Sequence, residues 1–357
     1  MAELKEITSA LEASKGKITM FADGFVDEVW EIVNERADLQ SYTLYNKMNQ
    51  FADRITNSGS GGVGLELIKK RRAFGGFTAN IGYAAARLGV DCAMVGVYGK
   101  ETLDPIFEEV GALCDVYSLE DPAVTHVFEF DDGKILMSHM GSVLDITWQR
   151  IVDKIGLVKI KELLEKSDII GIGYWSLVPA FDEILTQVCE NIPNDGKTRR
   201  FFFDFADFRK KDEASLEKSM ALLKKYNAKY PMTLSVNEHE AATLFALHGK
   251  SLDETGQNIK EITENTEFVR DKIGLDEFII HTPRYAVAAA LGKAPAFDPS
   301  EFVEKPVRTA GAGDTFNGGY VAASLAGLGL QERLKTANAA VGHFLRTAVF
   351  PEIVNLK

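Results

Sequence analysis

Short apolar runs recur along the chain, separated by longer segments in which apolar residues follow a helical spacing. In segment 81–88, for example, apolar residues stand at positions i, i+3, i+4 and i+7, and Gly89 follows as a C-cap residue. The runs that we assign to strands are 18–21, 93–97, 169–172, 201–203, 234–236 and 278–280. Apolar strands that alternate with amphipathic helices are typical of a parallel sheet covered by helices on both faces. The pattern therefore predicts an α/β protein.

Two stretches interrupt this alternation. Segment 34–72 is polar, contains a string of small residues at 57–64 and separates the first strand from the first well-formed helix, so we interpret it as an insertion. Segment 124–139 has β-forming residues on both sides of Asp131-Asp132-Gly133, and an Asp-Gly pair between such runs indicates a hairpin. This hairpin predicts a small β layer set apart from the main sheet.

Composition and charge narrow the class of protein. The 357 residues include 40 Lys+Arg and 52 Asp+Glu, and the resulting net charge of −12 excludes a basic nucleic-acid-binding protein. With 46% hydrophobic and 26% charged residues the chain is an ordinary globular one. We expect a single large domain over 1–357 with an appendage, in which 34–72 and 124–139 are the added segments.

The cysteine content and the length of the apolar segments predict the cellular compartment. Cys92, Cys114 and Cys189 are too few and too far apart for a disulfide framework, which favours a reducing environment. No window reaches the roughly 18 apolar residues of a membrane helix, and charges occupy the N-terminal stretch where a signal peptide is apolar. We therefore expect a soluble cytoplasmic protein with no membrane and no nucleic-acid partner.

Three local patterns resemble ligand-binding motifs but lack the required context. Segment 59–64 satisfies G-x-G-x-x-G, yet it follows a polar, helix-like segment where a dinucleotide site needs a buried strand. Gly196-Lys197-Thr198 ends like a phosphate-binding P-loop, but its first glycine is missing. His239-Glu240 begins like a zinc-protease motif, but the second histidine is missing. We interpret 59–64 as a flexible loop and reject the other two.

The strongest chemical signal is the segment 309–316, which leads directly into a helical pattern. Because Gly311, Ala312 and Gly313 immediately precede the helix, their amides and the positive end of the helix dipole can converge on an anion. Asp314 lies in the first turn, where a carboxylate also caps the helix. A carboxylate beside an anion site can take a proton from a hydroxyl while the amides neutralise a transferring phosphoryl group.

Two further segments place polar groups at the starts of helices. Gly75 and Gly76 let a ligand approach the backbone, and the Asn80 amide offers both a donor and an acceptor to vicinal hydroxyls. Asn237 and Glu240 follow strand 234–236 at the spacing of a helix capping box. The functional alternative for this pair is that Glu240 holds water around a magnesium ion.

Taken in order, these motifs resemble those of the ribokinase-like (PfkB) family of sugar and nucleoside kinases. The segment from Gly75 to Asn80 is similar to the first family signature, and the segment from Thr309 to Asp314 is similar to the second, highly specific one. Asn237-x-x-Glu240 is similar to the family's N-x-x-E motif. Asp27 stands where the family has an aspartate that binds substrate hydroxyls.

The resemblance implies a three-layer α/β/α ribokinase-like fold, with a mostly parallel central sheet and a small β-sheet lid. The lid would comprise the 124–139 hairpin and part of 34–72. Family members transfer the γ-phosphoryl group of ATP to a hydroxymethyl group, with Mg²⁺ as cofactor. The resemblance therefore implies an ATP- and Mg²⁺-dependent carbohydrate kinase whose partner is a small-molecule sugar. A homodimer formed through the lid is common among relatives, and we include it as an expectation.

The same resemblance assigns roles to individual residues. Asp314 would be the catalytic base, and the amides of 311–313 would form the anion hole. The acceptor would contact Asp27, Gly75, Gly76 and Asn80. On the donor side, Asn237 and Glu240 would assist the phosphates and magnesium, with Glu240 as the metal residue, and Asn338 would lie near the adenine.

The chain departs from the family pattern at two places. Arg308 stands where the family usually has an aspartate, in a loop that in many members holds a monovalent cation. We hypothesise that its guanidinium replaces that charge, so that activity does not require potassium. A glycine-containing phosphate loop usually follows the strand at 278–280, but here segment 281–286 has no glycine. In that segment we assign Thr282 and Arg284 to the nucleotide, with Arg284 supplying phosphate contacts.

Two alternatives to a sugar kinase remain open from the sequence alone. A nucleoside kinase would use the same residues to bind a ribose, and Tyr42, Tyr45 and Phe51 of the insertion could either stack on a base or pack the lid. A non-catalytic sugar or nucleotide sensor would keep the fold without turnover. The altered 281–286 segment favours the sensor, whereas the intact segment from Gly311 to Asp314 opposes it.

Overall fold

Two β-sheets and the surrounding helices make up the regular structure of residues 2–356, which the computed structural model describes. The strands, numbered in chain order, are β1 (Lys17–Phe21), β2 (Phe25–Arg36), β3 (Tyr42–Leu44), β4 (Glu66–Gly75), β5 (Asp91–Gly96), β6 (Cys114–Ser118), β7 (Ala123–Phe130), β8 (Gly133–His139), β9 (Ile169–Ile172), β10 (Arg200–Asp204), β11 (Met232–Asn237), β12 (Glu277–His281), β13 (Tyr285–Ala290) and β14 (Ala296–Pro299). The helices are α1 (Ala2–Ala13), α2 (Met48–Thr56), α3 (Phe77–Arg87), α4 (Glu108–Gly111), α5 (Trp148–Ile155), α6 (Leu157–Lys166), α7 (Phe181–Asn191), α8 (Glu213–Asn227), α9 (Glu238–Leu247), α10 (Ile259–Ile273), α11 (Ala312–Leu325) and α12 (Leu330–Thr347).

The central sheet has nine strands in the spatial order β14-β13-β12-β11-β10-β9-β1-β5-β6. The strands from β6 to β12 in this order are parallel, and β13 and β14 are added antiparallel at one edge. The six apolar runs of the sequence lie in β1, β5, β9, β10, β11 and β12, which confirms the α/β prediction.

Helices cover both faces of this sheet, as the apolar runs predict. On β10, Phe201 and Phe203 point into the core formed with helices α5 to α10, whereas Phe202 points into the core formed with α1, α3, α11 and α12. This alternation follows from the two-residue period of a strand, in which successive side chains leave opposite faces. The three-layer α/β/α fold is therefore confirmed.

A second sheet of five strands lies apart from the central one, as the Asp-Gly hairpin predicts. Its order is β3-β2-β7-β8, and β4 also pairs with β2. We call it the lid. The lid strands from the N-terminal part of the chain run from Phe25 to Gly75, so they extend beyond the predicted segment 34–72 at both ends. The 59–64 segment is exposed between α2 and β4, where a glycine-rich stretch contacts little of the protein.

The aromatic residues of the insertion mainly stabilise the lid itself. Tyr45 and Phe51 are buried in a small apolar cluster with Ile32 and Phe128, and the Tyr45 and Phe51 ring centroids lie 6.0 Å apart. Tyr42 lies at the surface, where the Arg36 guanidinium carbon is 4.8 Å from its ring centroid. These three rings therefore do not line the main cavity.

The strand order reverses at β1. After β1 the chain adds β5 and β6 on one side of it, and later adds β9 to β14 on the other side. At such a switch point a crevice opens at the carboxyl ends of the strands, and ligands of open α/β sheets bind there. A functional site is therefore expected where β1, β9, β10 and β11 end. Within residues 2–356, no helix is long and apolar enough to cross a membrane.

Close packing between α11 and α3 gives a test of the fold. A Cβ atom on Gly318 would lie 2.5 Å from the Ala84 Cβ atom, and the backbone of Ala85 is also close. We expect Gly318→Ala to lower the free energy of unfolding by about 1–3 kcal/mol, because overpacking forces these helices apart. Urea unfolding measures the change. As a matched control, Gly61→Ala meets no atom within 4 Å and should stay within about 0.5 kcal/mol of the parent; equal stability of both variants would contradict the packing.

Candidate active site

A cavity of 1080 Å³ opens at the carboxyl ends of the central strands, beside the start of α11. Asp204, Asn237 and His281, the last residues of β10, β11 and β12, all line it. Segment 311–314 forms an adjoining wall, and Lys134 of β8 reaches the cavity from the lid. The fold thus gathers motifs that are far apart in sequence around one space at the switch point.

Asp314 lies in the first turn of α11 and is only 6% exposed. The Tyr174 hydroxyl donates to its Oδ1 atom at 2.6 Å, and the Asn80 Nδ2 atom donates to its Oδ2 atom at 2.8 Å. Burial raises the pKa of Asp314 to about 6, and the two hydrogen bonds oppose this rise because they stabilise the ionised form. Asp314 is therefore mainly ionised at neutral pH and can accept a proton.

The start of α11, with Gly311 as its N-cap residue and Gly313 in its first turn, presents backbone donors to the cavity. Gly311 has a φ of 88°, in the left-handed region that favours glycine, and a Cβ atom on Gly313 would lie 3.1 Å from the His281 Cε1 atom. The Ala312 amide already donates to the Thr309 carbonyl at 3.1 Å, which corrects the prediction that it is an open donor. The Gly311 and Gly313 amides have no hydrogen-bond partner among residues 2–356, so they remain open to an anion that the helix dipole would also favour.

The helix that carries Asn80 is capped by a carboxylate from the central sheet. Asp23, which follows β1 and is fully buried, accepts hydrogen bonds from the Phe77 and Thr78 amides at 2.7 and 3.0 Å. A Cβ atom on Gly76, whose φ is 92°, would lie 2.9 Å from the Asp23 Oδ2 atom. The close approach of Asp23 therefore explains why a glycine stands at position 76. Because Asp23 already binds the Phe77 and Thr78 amides, these amides are not open to a ligand.

Asp27 lies half-buried on β2 of the lid and does not itself line the main cavity. Gly75 permits this placement, because a Cβ atom there would lie 2.8 Å from the Asp27 Oδ2 atom. Burial raises the pKa of Asp27 to about 6, and the positive charges of Arg308 and Lys134 oppose the rise. Arg308 and Lys134 also attract Asp314. Asp27 and Asp314 thus share two cations, one from the lid and one from the turn before α11.

Arg308 is anchored by the turn that carries it and by an aromatic ring of α12. Its Nε atom donates to the Ala310 carbonyl at 2.9 Å, and its guanidinium carbon lies 5.1 Å from the Phe344 ring centroid. The Nη2 atom is buried without a hydrogen-bond partner among residues 2–356. This guanidinium carries a permanent positive charge next to the turn that bears Asp314.

Asn237 and Glu240 form a reciprocal capping box at the start of α9. The Asn237 Oδ1 atom accepts from the Glu240 amide, and Glu240 accepts from the Asn237 amide, both at 3.0 Å. Glu240 and Asp204 are both buried beside the cavity. Burial raises the pKa of Glu240, and repulsion from Asp204 adds to this; burial and repulsion from Asp314 raise the pKa of Asp204. Asn237 and Glu240 therefore cap α9 and at the same time line the cavity, so the capping role does not exclude a role in magnesium binding.

These two carboxylates fit a magnesium ion that is bound through water. Magnesium keeps several waters and needs only one or two carboxylates together with substrate phosphates. In residues 2–356 no three His, Cys, Asp or Glu side chains form a cluster that could hold a metal directly. A cation beside Glu240 and Asp204 would relieve their mutual repulsion.

The remaining predicted nucleotide residues divide between two places. Thr282 lines the main cavity, where its hydroxyl accepts from the Arg284 and Tyr285 amides at 3.1 and 3.0 Å and so shapes the turn. The Arg284 side chain does not line the main cavity; its guanidinium carbon lies 5.2 Å from the Phe302 ring centroid, in a neighbouring groove. Asn338 lines the cavity from α12 and donates to the Asp298 carboxylate at 2.8 Å.

The cavity residues that were not identified from the sequence include Tyr174, Asp204, Lys134 and His281. Tyr174, Asp204 and His281 stand at or just beyond the carboxyl end of an apolar run, which is where α/β sheets place ligand contacts. The sequence positions of these three residues could therefore have identified them as candidate ligand contacts. Lys134 follows the hairpin turn and shows no signal in the sequence, because its direction depends on how the lid packs.

The comparisons with known proteins decide the family. The family model described as prokaryotic ketohexokinase matches residues 4–357. The chain belongs to this prokaryotic ketohexokinase family. Ketohexokinase from Haloferax volcanii is 27% identical over 347 residues, which cover 96% of this chain and 90% of that protein. The predicted resemblance to ribokinase-like sugar kinases is therefore confirmed, and the protein is an ATP-dependent sugar kinase.

Solved structures confirm the fold. A putative ribokinase II from E. coli, in complex with ATP and Mg²⁺, superposes with a TM-score of 0.65 at 14% identity and covers 96% of this chain and 97% of its own. Arabidopsis thaliana ribokinase, complexed with ribose and ATP, gives a TM-score of 0.65 at 18% identity with the same coverage. Phosphofructokinase-2 from Escherichia coli, in complex with substrates and products, gives 0.61 at 14% identity.

The buried acidic pair predicts how stability depends on pH. Because the pKa of Glu240 is higher in the folded than in the unfolded protein, the folded protein binds more protons above about pH 4, and stability falls as pH rises. Glu240→Gln removes this contribution. In magnesium-free buffer, we expect the difference in free energy of unfolding, variant minus parent, to increase by about 1 kcal/mol or more as the pH rises from 6 to 9. Denaturant titration measures it, and a pH-independent difference would contradict the raised pKa.

Proposed function

We propose that this protein transfers the γ-phosphoryl group of ATP to a hydroxymethyl group of a ketohexose, with Asp314 as the catalytic base. The observation that carries the proposal is the buried carboxylate of Asp314, which lies beside the open amides of Gly311 and Gly313. Proton acceptance and phosphoryl binding need these two features side by side.

Asp314 acts on the acceptor. As the hydroxyl oxygen attacks the γ-phosphorus, its proton passes to the Asp314 carboxylate, the new O–P bond forms, and the bond to the β-phosphate oxygen breaks to release ADP. Asn80 holds Asp314 at 2.8 Å and has a carbonyl oxygen without a hydrogen-bond partner among the described residues. That oxygen is suited to accept from a sugar hydroxyl. Asp27 binds further hydroxyls from the lid side.

The transferring phosphoryl group carries negative charge on its outer oxygens in the transition state. The Gly311 and Gly313 amides donate to these oxygens, and the α11 dipole adds a favourable field. Lys134 of the lid and Arg308 of the turn before α11 supply positive charge that acts on Asp314. These groups stand in place before the reaction, so they need little rearrangement when charge develops.

On the donor side, the nucleotide occupies the part of the cavity bounded by Thr282 and Asn338. Glu240 and Asp204 would hold the magnesium ion through water, and a bound magnesium ion would neutralise the phosphate charge. Because Arg284 lies in the neighbouring groove, we propose that it contacts the nucleotide only from the rim.

We further propose that the enzyme works in the cytoplasm. We also propose that it dimerises through the lid, because the apolar side chains of Leu67 and Met137 are exposed on the lid.

The geometry favours a ketose over a nucleoside as acceptor. A nucleoside kinase needs a surface on which the base can stack, but Tyr45 and Phe51 are buried inside the lid. The family description and the Haloferax volcanii relative both name ketohexokinase. A sensor without turnover is disfavoured because Asp314 keeps both of its anchoring hydrogen bonds.

Replacement of the base tests the proposal. With Mg-ATP and a panel of ketoses, aldoses, sugar acids and nucleosides, we expect the parent protein to phosphorylate a ketohexose with the highest kcat/KM. Asp314→Asn keeps the size and both neighbours of the side chain but removes the base, so kcat should fall on the order of 10² to 10⁴. Coupled detection of ADP with mass analysis of the sugar product gives both readings.

Sugar binding separates this result from misfolding. Calorimetric affinity of Asp314→Asn for the ketohexose should stay within a few-fold of the parent. A nucleoside as the best acceptor, or an Asp314→Asn variant with undiminished turnover, would contradict the proposed function.

The charge of Arg308 predicts independence from potassium. Its guanidinium already places a positive charge beside the turn that carries Asp314, so a monovalent cation has no charge to supply there. Turnover in potassium chloride should match turnover in tetramethylammonium chloride at equal ionic strength. Strong activation by potassium would show that Arg308 does not replace the ion.

A further inference from the structure

We propose that Tyr174 is a positioning residue for the catalytic base: its hydroxyl fixes the orientation of the Asp314 carboxylate and keeps that carboxylate ionised. The inference rests on the proposed function and deepens it. The motifs in the sequence do not include Tyr174, which is 140 positions from Asp314 and meets it only in the folded protein.

The fold holds the Tyr174 ring firmly. Tyr174 comes two residues after the end of β9, next to β1 at the switch point. Its ring packs edge-on against Phe77 with centroids 5.7 Å apart, and it lines the main cavity. The ring is therefore set between the core and the cavity, with its hydroxyl directed at Asp314.

The direction of the hydrogen bond is also determined. Burial raises the pKa of Tyr174 well above its usual value, and the negative charges of Asp314 and Asp204 raise it further. Tyr174 therefore stays protonated and acts as the donor at every working pH. A donor hydroxyl favours the ionised carboxylate over the neutral acid.

Few other groups stabilise the charge on Asp314. The charged groups that act on it are Asp27 of β2, Lys134 of β8, Arg308 of the preceding turn, Asp204 of β10 and Asp23 after β1. Three of these five are carboxylates that repel it when ionised, and two are cations that attract it. Among the effects that lower the pKa of Asp314, the hydrogen bond from Tyr174 is the largest and that from Asn80 is the next.

The two hydrogen bonds differ in what else they do. Tyr174 holds Oδ1 and Asn80 holds Oδ2, so together they prevent the carboxylate from rotating. Asn80 also contacts the acceptor under the proposed function, whereas Tyr174 has the Asp314 oxygen as its hydroxyl partner. Loss of the Tyr174 hydroxyl should therefore affect the base with little effect on sugar binding.

The variant Tyr174→Phe tests this assignment through its pH profile. Removal of a hydrogen bond to a charged group should lower kcat roughly 10- to 100-fold near pH 7. Because activity needs ionised Asp314, activity is lost as pH falls through its pKa, and a raised pKa moves this loss to higher pH. We expect the acidic limb of the kcat profile to shift upward by about one pH unit or more, with KM for the ketohexose changed less than threefold.

Tyr98→Phe is the matched control. Tyr98 is also a buried tyrosine, and its hydroxyl bonds to Thr78 at 2.7 Å rather than to Asp314. Its variant loses one buried hydrogen bond of the same kind, so any general loss of stability should appear in the thermal midpoints of both proteins. The acidic limb should move only in Tyr174→Phe.

A direct titration separates failure of this inference from failure of the proposed function. The ¹³C resonance of the Asp314 carboxyl, assigned by its loss in Asp314→Asn, reports the protonation of that group without any turnover. We expect its midpoint to move to higher pH in Tyr174→Phe but not in Tyr98→Phe. An unmoved midpoint, or an activity loss that is equal at pH 6 and pH 9, would overturn the role of Tyr174, whereas a parent protein that phosphorylates no ketohexose would overturn only the proposed function.

Discussion

Under the proposed function, the site depends on one physical constraint: the buried carboxylate of Asp314 must stay ionised. Burial alone favours the protonated acid, which could not take a proton from a sugar. Two hydrogen bonds, from Tyr174 and Asn80, and the two nearby cations Lys134 and Arg308 oppose that preference. The helix start at Gly311 supplies a further favourable field. Groups from the lid, from the central sheet and from the start of α11 therefore act together on the charge of Asp314.

The fold explains how such distant residues meet. The central sheet changes direction at β1, so the ends of β1 and β9 open beside each other, and helices α3 and α11 begin over that opening. The lid strands β2 to β4 lie between β1 and α3 in the chain, and the lid strands β7 and β8 follow β6. Asp27 of β2 and Lys134 of β8 thus approach the site from a sheet separate from the central one.

Local patterns account for most of the fold, whereas part of the site lies outside their reach. Runs such as 201–203 and the Asp-Gly turn at 132–133 predict strands because their periodicity and turn chemistry are local properties. The turn from Gly311 to Asp314 is likewise readable as a helix start. The Tyr174–Asp314 bond is not, because neither residue has a neighbour in sequence that reports it. The hydrogen bond from the Ala312 amide to the Thr309 carbonyl also depends on the exact conformation of the turn, which the residue types alone do not specify.

The central claim is that the acceptor hydroxyl and the transferring phosphoryl group meet between Asp314 and the amides of Gly311 and Gly313. A crystal structure of the protein with a ketohexose and a magnesium complex of a non-hydrolysable ATP analogue tests it most directly. The account predicts a sugar hydroxymethyl oxygen within about 3 Å of an Asp314 carboxylate oxygen, and a terminal phosphate oxygen bonded to the two amides. A sugar whose hydroxymethyl group points away from Asp314, or a terminal phosphate bound elsewhere in the cavity, would contradict it.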